Sequence, residues 1–126
     1  MPKQIPTAPS GPAPIGPYSI VTEANGFVFL SGMVAIDPST NAPIAGGVEA
    51  QAHQVMNNIG AVLGDVGLRF EDIVKTTVYL ADMADFPTVN AVYALYVGES
   101  KPARSTIEAG ALPGGYRVEI EVIAAR

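Results

Sequence analysis

The sequence Arg117-Val-Glu-Ile-Glu-Val122 alternates charged and apolar residues, position by position. A period of two is typical of a β-strand that has one face in the core and the other face outside it. The segment therefore predicts a strand whose apolar side chains are buried, while Glu119 and Glu121 lie on the opposite face.

An upstream segment, Pro102-Ala-Arg-Ser-Thr-Ile-Glu108, has the same period and predicts a strand with Arg104 and Thr106 on one side. Pro113-Gly-Gly115 reads as the turn between the two strands. If their charged faces coincide, Arg104 and Glu119 share one surface of a sheet. The pattern leaves two interpretations open: a cross-strand ion pair, or a guanidinium that binds a substrate carboxylate beside a carboxylate that holds a water.

The rest of the chain predicts an α+β order of elements. Asn25-Gly26 between two apolar segments is a strong hairpin signal. Apolar residues recur at steps of three and four in 48–66 and again in 86–97, as amphipathic helices require, and the β-branched segment 73–80 predicts a central strand. We expect a mixed sheet of about six strands with two helices on one face.

The second face of this predicted sheet has no helix to cover it. It must carry residues such as Val21, Thr77 and Ile123 beside the charged set. Packing against other copies of the chain would bury this face, so we predict a closed homo-oligomer. Prolines recur through residues 1–17 and predict an extended arm that is either loose or laid across a neighbour.

The composition restricts the partners and the chemistry. A chain of 126 residues predicts a single domain, residues 1–126. A net charge of −5 opposes binding to nucleic acid or to an anionic membrane. With no cysteine and one histidine, His53, the chain offers neither thiol chemistry nor a usual zinc cluster. The N-terminus has no long apolar segment, so we expect a cytoplasmic protein.

Five short segments follow one another in order along nearly the whole chain. They are Ala-Pro-Ile-Gly-Pro-Tyr at 13–18, Phe-Leu-Ser-Gly at 29–32, Asp-Ile-Val-Lys-Thr-Thr-Val-Tyr at 72–79, Phe-Pro-Thr-Val-Asn-Ala-Val-Tyr at 86–93, and Pro-Ala-Arg-Ser at 102–105 with its continuation through Leu-Pro at 112–113 to Val-Glu-Ile-Glu at 118–121. Together they resemble the reactive-intermediate deaminase family, also called RidA or YjgF-type proteins.

This resemblance implies a fold similar to small chorismate mutases and a homotrimer, a trimeric barrel assembly with clefts between subunits. It also implies hydrolysis of reactive 2-enamine and 2-imine intermediates, such as 2-aminoacrylate, to 2-keto acids and ammonia. An imine carbon is already electrophilic, so we expect neither a metal nor another cofactor. The expected partner is a small 2-imino or 2-keto acid.

The resemblance also implies roles for single residues. Arg104 matches the arginine that binds the substrate carboxylate, and a guanidinium offers a planar fork for that purpose. Glu119 matches the glutamate associated with the hydrolytic water, where it could act as a general base. A structural partner for Glu119, such as Arg117 or Lys75, is the alternative interpretation.

Other matched positions are expected to line the same cleft. Tyr18, Ser31 and Asn90 match cleft residues, although the last two could equally form local backbone hydrogen bonds. Thr106 stands where the family frequently has cysteine, so it would line the cleft without thiol chemistry. His53 lies on the polar side of the first predicted helix, and we expect it to be solvated.

Functions other than a general imine deaminase are also open at this point. One is a non-catalytic, chaperone-like protein that binds small carboxylates, for which Arg104 is needed but Glu119 is not. Another is a deaminase of a specific pathway intermediate such as an aminomuconate. RNA cleavage has also been attached to the family, but the acidic charge and the lack of a histidine base oppose it.

Overall fold

The computed structural model describes residues 2–126. Nine strands and helices follow in order: β1 Val21–Ala24, β2 Phe27–Met33, β3 Ile36–Asp37, β4 Ala42–Pro43, α1 Val48–Asp65, β5 Ile73–Leu80, α2 Phe86–Val97, β6 Ala103–Glu108 and β7 Val118–Ala125. The α+β class and both helices are therefore confirmed. Within residues 2–126, neither helix is long and apolar enough to cross a membrane.

The main sheet has five strands rather than about six, in the order β1-β2-β7-β5-β6. β3 and β4 form a separate two-stranded ribbon because the chain leaves the sheet after Met33. The predicted hairpin at Asn25-Gly26 joins β1 to β2, with φ of 54° and 81° at the two turn residues. These positive φ values are those that a tight hairpin turn requires.

The strands β6 and β7 are not neighbours, which corrects the predicted pairing. β5 lies between them: it pairs with β6 in parallel and with β7 antiparallel. The parallel pair follows from α2, because a parallel connection needs a long crossover. Pro113–Gly115 is a turn as predicted, but it carries the chain across β5 rather than between adjacent strands.

The core lies between the sheet and the two helices. Val118, Ile120 and Val122 are at most 2% exposed, as their alternation predicts. Thr77 and Ile123 lie on the opposite, open face of the sheet, where they are partly exposed. Val21 was expected on that face but is 2% exposed, because it pairs with Leu30 on the core side of the hairpin.

The proline-rich arm is ordered against its own chain, not loose. Gln4 forms an isolated bridge with Glu23 of β1, through backbone bonds of 2.9 Å in both directions. Ser10 donates from its backbone nitrogen and its hydroxyl to Asp65, at 2.7 Å each. The arm therefore fastens to β1 and to the end of α1, and it leads the chain towards Tyr18.

Candidate active site

Glu119 lines a cleft on the open face of the sheet. Its neighbours in β7, Val118 and Ile120, are buried in the core, so the strand period turns Glu119 the other way. The cleft has a volume of about 470 Å³. Its lining residues are Ile15, Tyr18, Ser31, Gly32, Val34, Ile36, Pro113, Gly114, Tyr116 and Glu119.

A β-bulge shapes the floor of this cleft. Leu30 pairs with Val122, and Met33 pairs with Ile120, so β2 has one residue more than β7 over this interval. The extra residue falls at Ser31-Gly32. A bulge locally bends a strand and redirects its side chains, which turns this segment towards Glu119.

Gly32 permits the close approach of the Glu119 side chain. A Cβ atom on Gly32 would lie 2.8 Å from Cδ of Glu119, closer than real side-chain carbons pack. The carboxyl group of Glu119 therefore rests against backbone that only glycine leaves uncovered.

Two predicted cleft residues, Tyr18 and Ser31, lie in the same cleft as Glu119. Tyr18 is 46% exposed, and its hydroxyl accepts a long hydrogen bond of 3.4 Å from the backbone nitrogen of Ile15. The Ser31 hydroxyl donates to the carbonyl of Ser19 at 2.6 Å, so in the single chain it forms the local backbone bond that was the alternative prediction.

The carboxyl group of Glu119 is half-buried and close to another acid. Burial, and to a lesser extent the negative charge of Glu121, raise the pKa of Glu119 above its usual range. Neither proposed structural partner contacts it: Arg117 binds Asp85, and Lys75 donates to Ser105 at 3.3 Å. The carboxyl group of Glu119 therefore holds a proton to a higher pH than a solvated glutamate does and is free of a salt-bridge partner, which suits it to proton transfer.

Arg104 lies on the other face of the sheet, against α2. Its Nη1 donates to Oδ1 of Asn90 at 2.7 Å, which brings two predicted site residues together. Its Cζ lies 5.5 Å from the ring centre of Phe86 and 5.0 Å from that of Tyr93. Among residues 2–126, no carboxylate pairs with this guanidinium. Its charge is therefore oriented by rings and an amide but is not neutralised.

Thr106 lies on the same side of β6 as Arg104, two residues further along. Its Oγ1 is buried and has no hydrogen-bond partner within residues 2–126. An unpaired buried hydroxyl is unfavourable, since it has lost its water without a replacement. Thr106 is therefore a second group on this side with unused hydrogen-bonding capacity.

The expectation that Arg104 and Glu119 share one sheet surface is wrong for the single chain. Arg104 is the register partner of Thr76, which is 1% exposed and faces the helices. Glu119 is the register partner of Tyr79, on the open face. The predicted residues thus form two groups: Tyr18, Ser31 and Glu119 in the cleft, and Asn90, Arg104 and Thr106 at the β6 edge. A cross-strand ion pair between Arg104 and Glu119 is excluded by the same geometry.

Several residues of these two groups were not predicted as site residues. Tyr116 and Gly32 help to form the cleft, and Phe86 and Tyr93 hold the guanidinium. The seven-residue spacing of the two rings on α2 is a signal that sequence analysis could have used. The closeness of Gly32 to Glu119 leaves no such signal, because it depends on the bulge.

His53 is not solvated as expected. Its Nδ1 lies 2.7 Å from the hydroxyl of Tyr96, and the two rings meet edge to face with centres 5.7 Å apart. The histidine connects α1 to α2, away from the cleft residues. Within residues 2–126, no group of three or more His, Cys, Asp or Glu side chains is placed to hold a metal ion.

The fold is that of a known class of small α+β proteins. A structure of the Yersinia pestis protein YyfA, described as a protein of unknown function of the conserved Rid family, superposes with a TM-score of 0.95 at 40% identity, over 99% of this chain and 100% of that one. A structure of Escherichia coli TdcF with bound serine gives a TM-score of 0.91 at 35% identity, over 98% of both chains.

The sequence comparisons identify the family within that class. The family model described as endoribonuclease L-PSP matches residues 8–126. A mouse protein named 2-iminobutanoate/2-iminopropanoate deaminase is 48% identical over 113 residues, which are 90% of this chain and 84% of that protein. The chain belongs to this family, that of the RidA and YjgF-type proteins, as its sequence motifs predict.

Proposed function

We propose that this protein is a hydrolytic deaminase that converts 2-enamine and 2-imine intermediates, such as 2-aminoacrylate, to 2-keto acids and ammonia. The observation that carries the proposal is the half-buried carboxyl group of Glu119, which lines a cleft and has no cationic partner among the described residues. A carboxyl group that is partly buried and not bound to a cation is suited to proton transfer.

Assembly is part of the proposal, because one chain keeps Arg104 and Glu119 on opposite faces of its sheet. Phe27, Phe29 and Ile107 leave 46%, 40% and 47% of their surface exposed on the open face. Contact with another copy would cover this face. In a homotrimer, the β6 edge of one subunit can close the cleft of the next, so that Arg104 of a second subunit faces Glu119.

Each residue then has a definite task. Arg104 binds the substrate carboxylate through two charge-assisted hydrogen bonds, and Asn90 fixes the guanidinium plane. Tyr18 and Tyr116 wall the cleft around the rest of the substrate. The Ser31 oxygen, whose hydrogen binds the Ser19 carbonyl, remains an acceptor on one side of the site, and Thr106 lies beside Arg104 on the other side.

The reaction needs one water and no redox partner. Glu119 takes a proton from the water as its oxygen adds to the imine carbon, which gives a tetrahedral carbinolamine. Glu119 passes this proton to the nitrogen, the carbon–nitrogen bond breaks, and ammonia leaves. Glu119 takes up the proton of the hydroxyl group, so that the carbon keeps the oxygen as a ketone, and that proton ends on the ammonia. An iminium acid and water thus become a 2-keto acid and ammonium. An enamine enters the same path after it takes a proton on carbon.

The relatives support this function more than the alternatives. The mouse relative carries a deaminase name, and the TdcF crystal contains serine, a small molecule with a carboxylate and an amine. The description of the family model names an endoribonuclease, but this chain has a net charge of −5 and its one histidine binds Tyr96. Non-catalytic binding of small carboxylates would leave the proton-exchange properties of Glu119 without a use.

The test measures ammonia and keto-acid release from 2-aminoacrylate generated in solution, above the spontaneous rate. We expect acceleration by the protein and its loss in Arg104→Ala, with the oligomer unchanged by sizing. Arg69→Ala is the matched control, because Arg69 is an exposed arginine that pairs with Glu71 at 3.4 Å.

No acceleration of any of several generated imines by the unmutated protein would contradict the deaminase function. Retention of keto-acid binding in that case, with loss in Arg104→Ala, would support the binding protein. Equal acceleration by Arg104→Ala and the unmutated protein would remove Arg104 from the site.

A further inference from the structure

The two acids of β7 face different spaces although they lie on one face of the strand. Glu119 lines the cleft described above, whereas Glu121 lines a separate cavity of about 170 Å³ on the open face. Lys75 and Thr77 border that second cavity. The side chains of residues two apart on a strand are close enough for their charges to interact. The two negative charges therefore repel, and a group that binds one carboxylate fixes where it lies relative to the other.

Tyr79 is the group placed to do this. It is the register partner of Glu119 across the β5–β7 ladder, and its hydroxyl donates to Oε1 of Glu121 at 2.6 Å. A short bond to a carboxylate is among the stronger hydrogen bonds in proteins. Tyr79 thus stands opposite one acid while it binds the other.

We propose that Tyr79 and Glu121 are positioning residues for Glu119: Tyr79 holds the Glu121 carboxylate towards its own cavity, so that Glu119 alone occupies the cleft and exchanges protons there. The inference rests on the proposed function for its catalytic meaning. The hydrogen bond itself is independent of that function.

The electrostatics of the group agree with this geometry. The charge of Glu121 raises the pKa of Glu119, after the larger effect of burial. The bond to Glu121 in turn raises the pKa of the Tyr79 phenol, which stays protonated and remains a donor. Tyr18 and Tyr116 are the other titratable groups that line the cleft with Glu119, whereas Lys75 on β5 borders the cavity of Glu121 and donates to Ser105. In the proposed trimer, Arg104 of a second subunit also faces Glu119. Its charge is the same in every variant, so it does not change the differences in pKa between variants.

Two conservative variants separate the effect of the Tyr79 hydroxyl group from that of the Glu121 charge. Tyr79→Phe removes only the hydroxyl, frees the full charge of Glu121, and raises the pKa of Glu119. Glu121→Gln removes that charge and lowers the pKa of Glu119. Thr77→Val is the matched control, because Thr77 is the register partner of Glu121 on the same face but forms no hydrogen bond to either acid.

The first measurement is a carbon-13 NMR titration of the Glu119 side-chain carboxyl in the four proteins, with oligomer size checked for each. We expect the midpoint to move up in Tyr79→Phe, to move down in Glu121→Gln, and to stay in place in Thr77→Val. An unmoved midpoint in both Tyr79→Phe and Glu121→Gln would overturn the proposal.

The second measurement is the pH profile of imine hydrolysis. We expect its acid limb to move in the same directions as the NMR midpoints, while a merely structural role would lower the rate equally at all pH values. If the unmutated protein hydrolyses no imine, the proposed function fails while the titration still decides the link between these residues. If hydrolysis occurs but the acid limb stays fixed, the positioning role fails and the deaminase stands.

Discussion

Gly32 and Glu119 are in contact without a side chain between them: the carboxyl group of Glu119 lies where a Cβ atom on residue 32 would be. The contact depends on the bulge in β2, which brings this backbone up to β7. It makes a glycine on one strand a condition for the orientation of an acid on the next.

Gly32→Ala should therefore move Glu119 out of its place. We expect imine hydrolysis to fall by about 10- to 100-fold, since a catalytic group displaced by an ångström loses much of its effect. Gly64→Ala is the control, because Gly64 in α1 has open space around its Cα. There the new methyl group should raise the free energy of unfolding by about 0.5–1 kcal/mol and leave the rate unchanged. Equal activity of the two variants would contradict the role given to the contact.

Glu119→Gln should lose the general base and keep the shape of the cleft. We expect a decrease in kcat of about 10²–10⁴-fold, with binding of a 2-keto acid retained. Calorimetric titration of the keto acid and steady-state rates on generated imines measure the two quantities. A variant with full activity would show that another group activates the water.

The same substitution should change how stability depends on pH. The pKa of Glu119 is raised in the folded protein, so the folded state favours the protonated form. That favourable contribution is present below the unfolded pKa and is lost as pH rises through the folded pKa. The free energy of unfolding of Glu119→Gln should therefore exceed that of the unmutated protein at about pH 8, and this difference should shrink at about pH 4. Urea unfolding at fixed protein concentration tests this, and a gain independent of pH would contradict it.

Phe86→Leu should weaken the hold on the Arg104 guanidinium. Stacking of a guanidinium on a ring contributes about 0.5–2 kcal/mol, so we expect KM for the imine to rise by about 2- to 30-fold, with less effect on kcat. Leu95→Ala is the control on the same helix, because Leu95 is 75% exposed. A loss confined to kcat would show that Phe86 acts on the chemical step instead.

Arg117 and Asp85 join the start of β7 to the start of α2 through bonds of 2.7 and 3.1 Å. The Asp85 side chain is 11% exposed, so removal of Arg117 leaves a nearly buried charge unpaired. We expect Arg117→Ala to lower the free energy of unfolding by about 1–3 kcal/mol, a range reduced because the arginine is half-exposed. Arg69→Ala, which breaks an exposed pair, should change it by less than about 1 kcal/mol. If both variants lost a similar free energy of unfolding, burial of the Asp85 carboxylate would not be the reason for the effect of Arg117→Ala.

The sequence by itself determined the elements and the chemistry of single positions. The period of two in β7 fixed which side chains enter the core, because a one-residue shift would bury Glu119 in place of Ile120. Other features could be predicted for the same reason, because they depend on local spacing or on the residue itself. They are the apolar stripes of α1 and α2, the Asn25-Gly26 turn, and the identities of Arg104 and Glu119.

The tertiary structure decided which of these positions meet. Strand order depends on contacts between residues far apart in the chain, and here β5 separates β6 from β7. The registers of its two pairings, Thr76 with Arg104 and Tyr79 with Glu119, put Arg104 against the rings of α2 and Glu119 on the open face. The bulge at Ser31-Gly32 and the bond from Tyr79 to Glu121 likewise exist only across strands, so no local pattern could have encoded them.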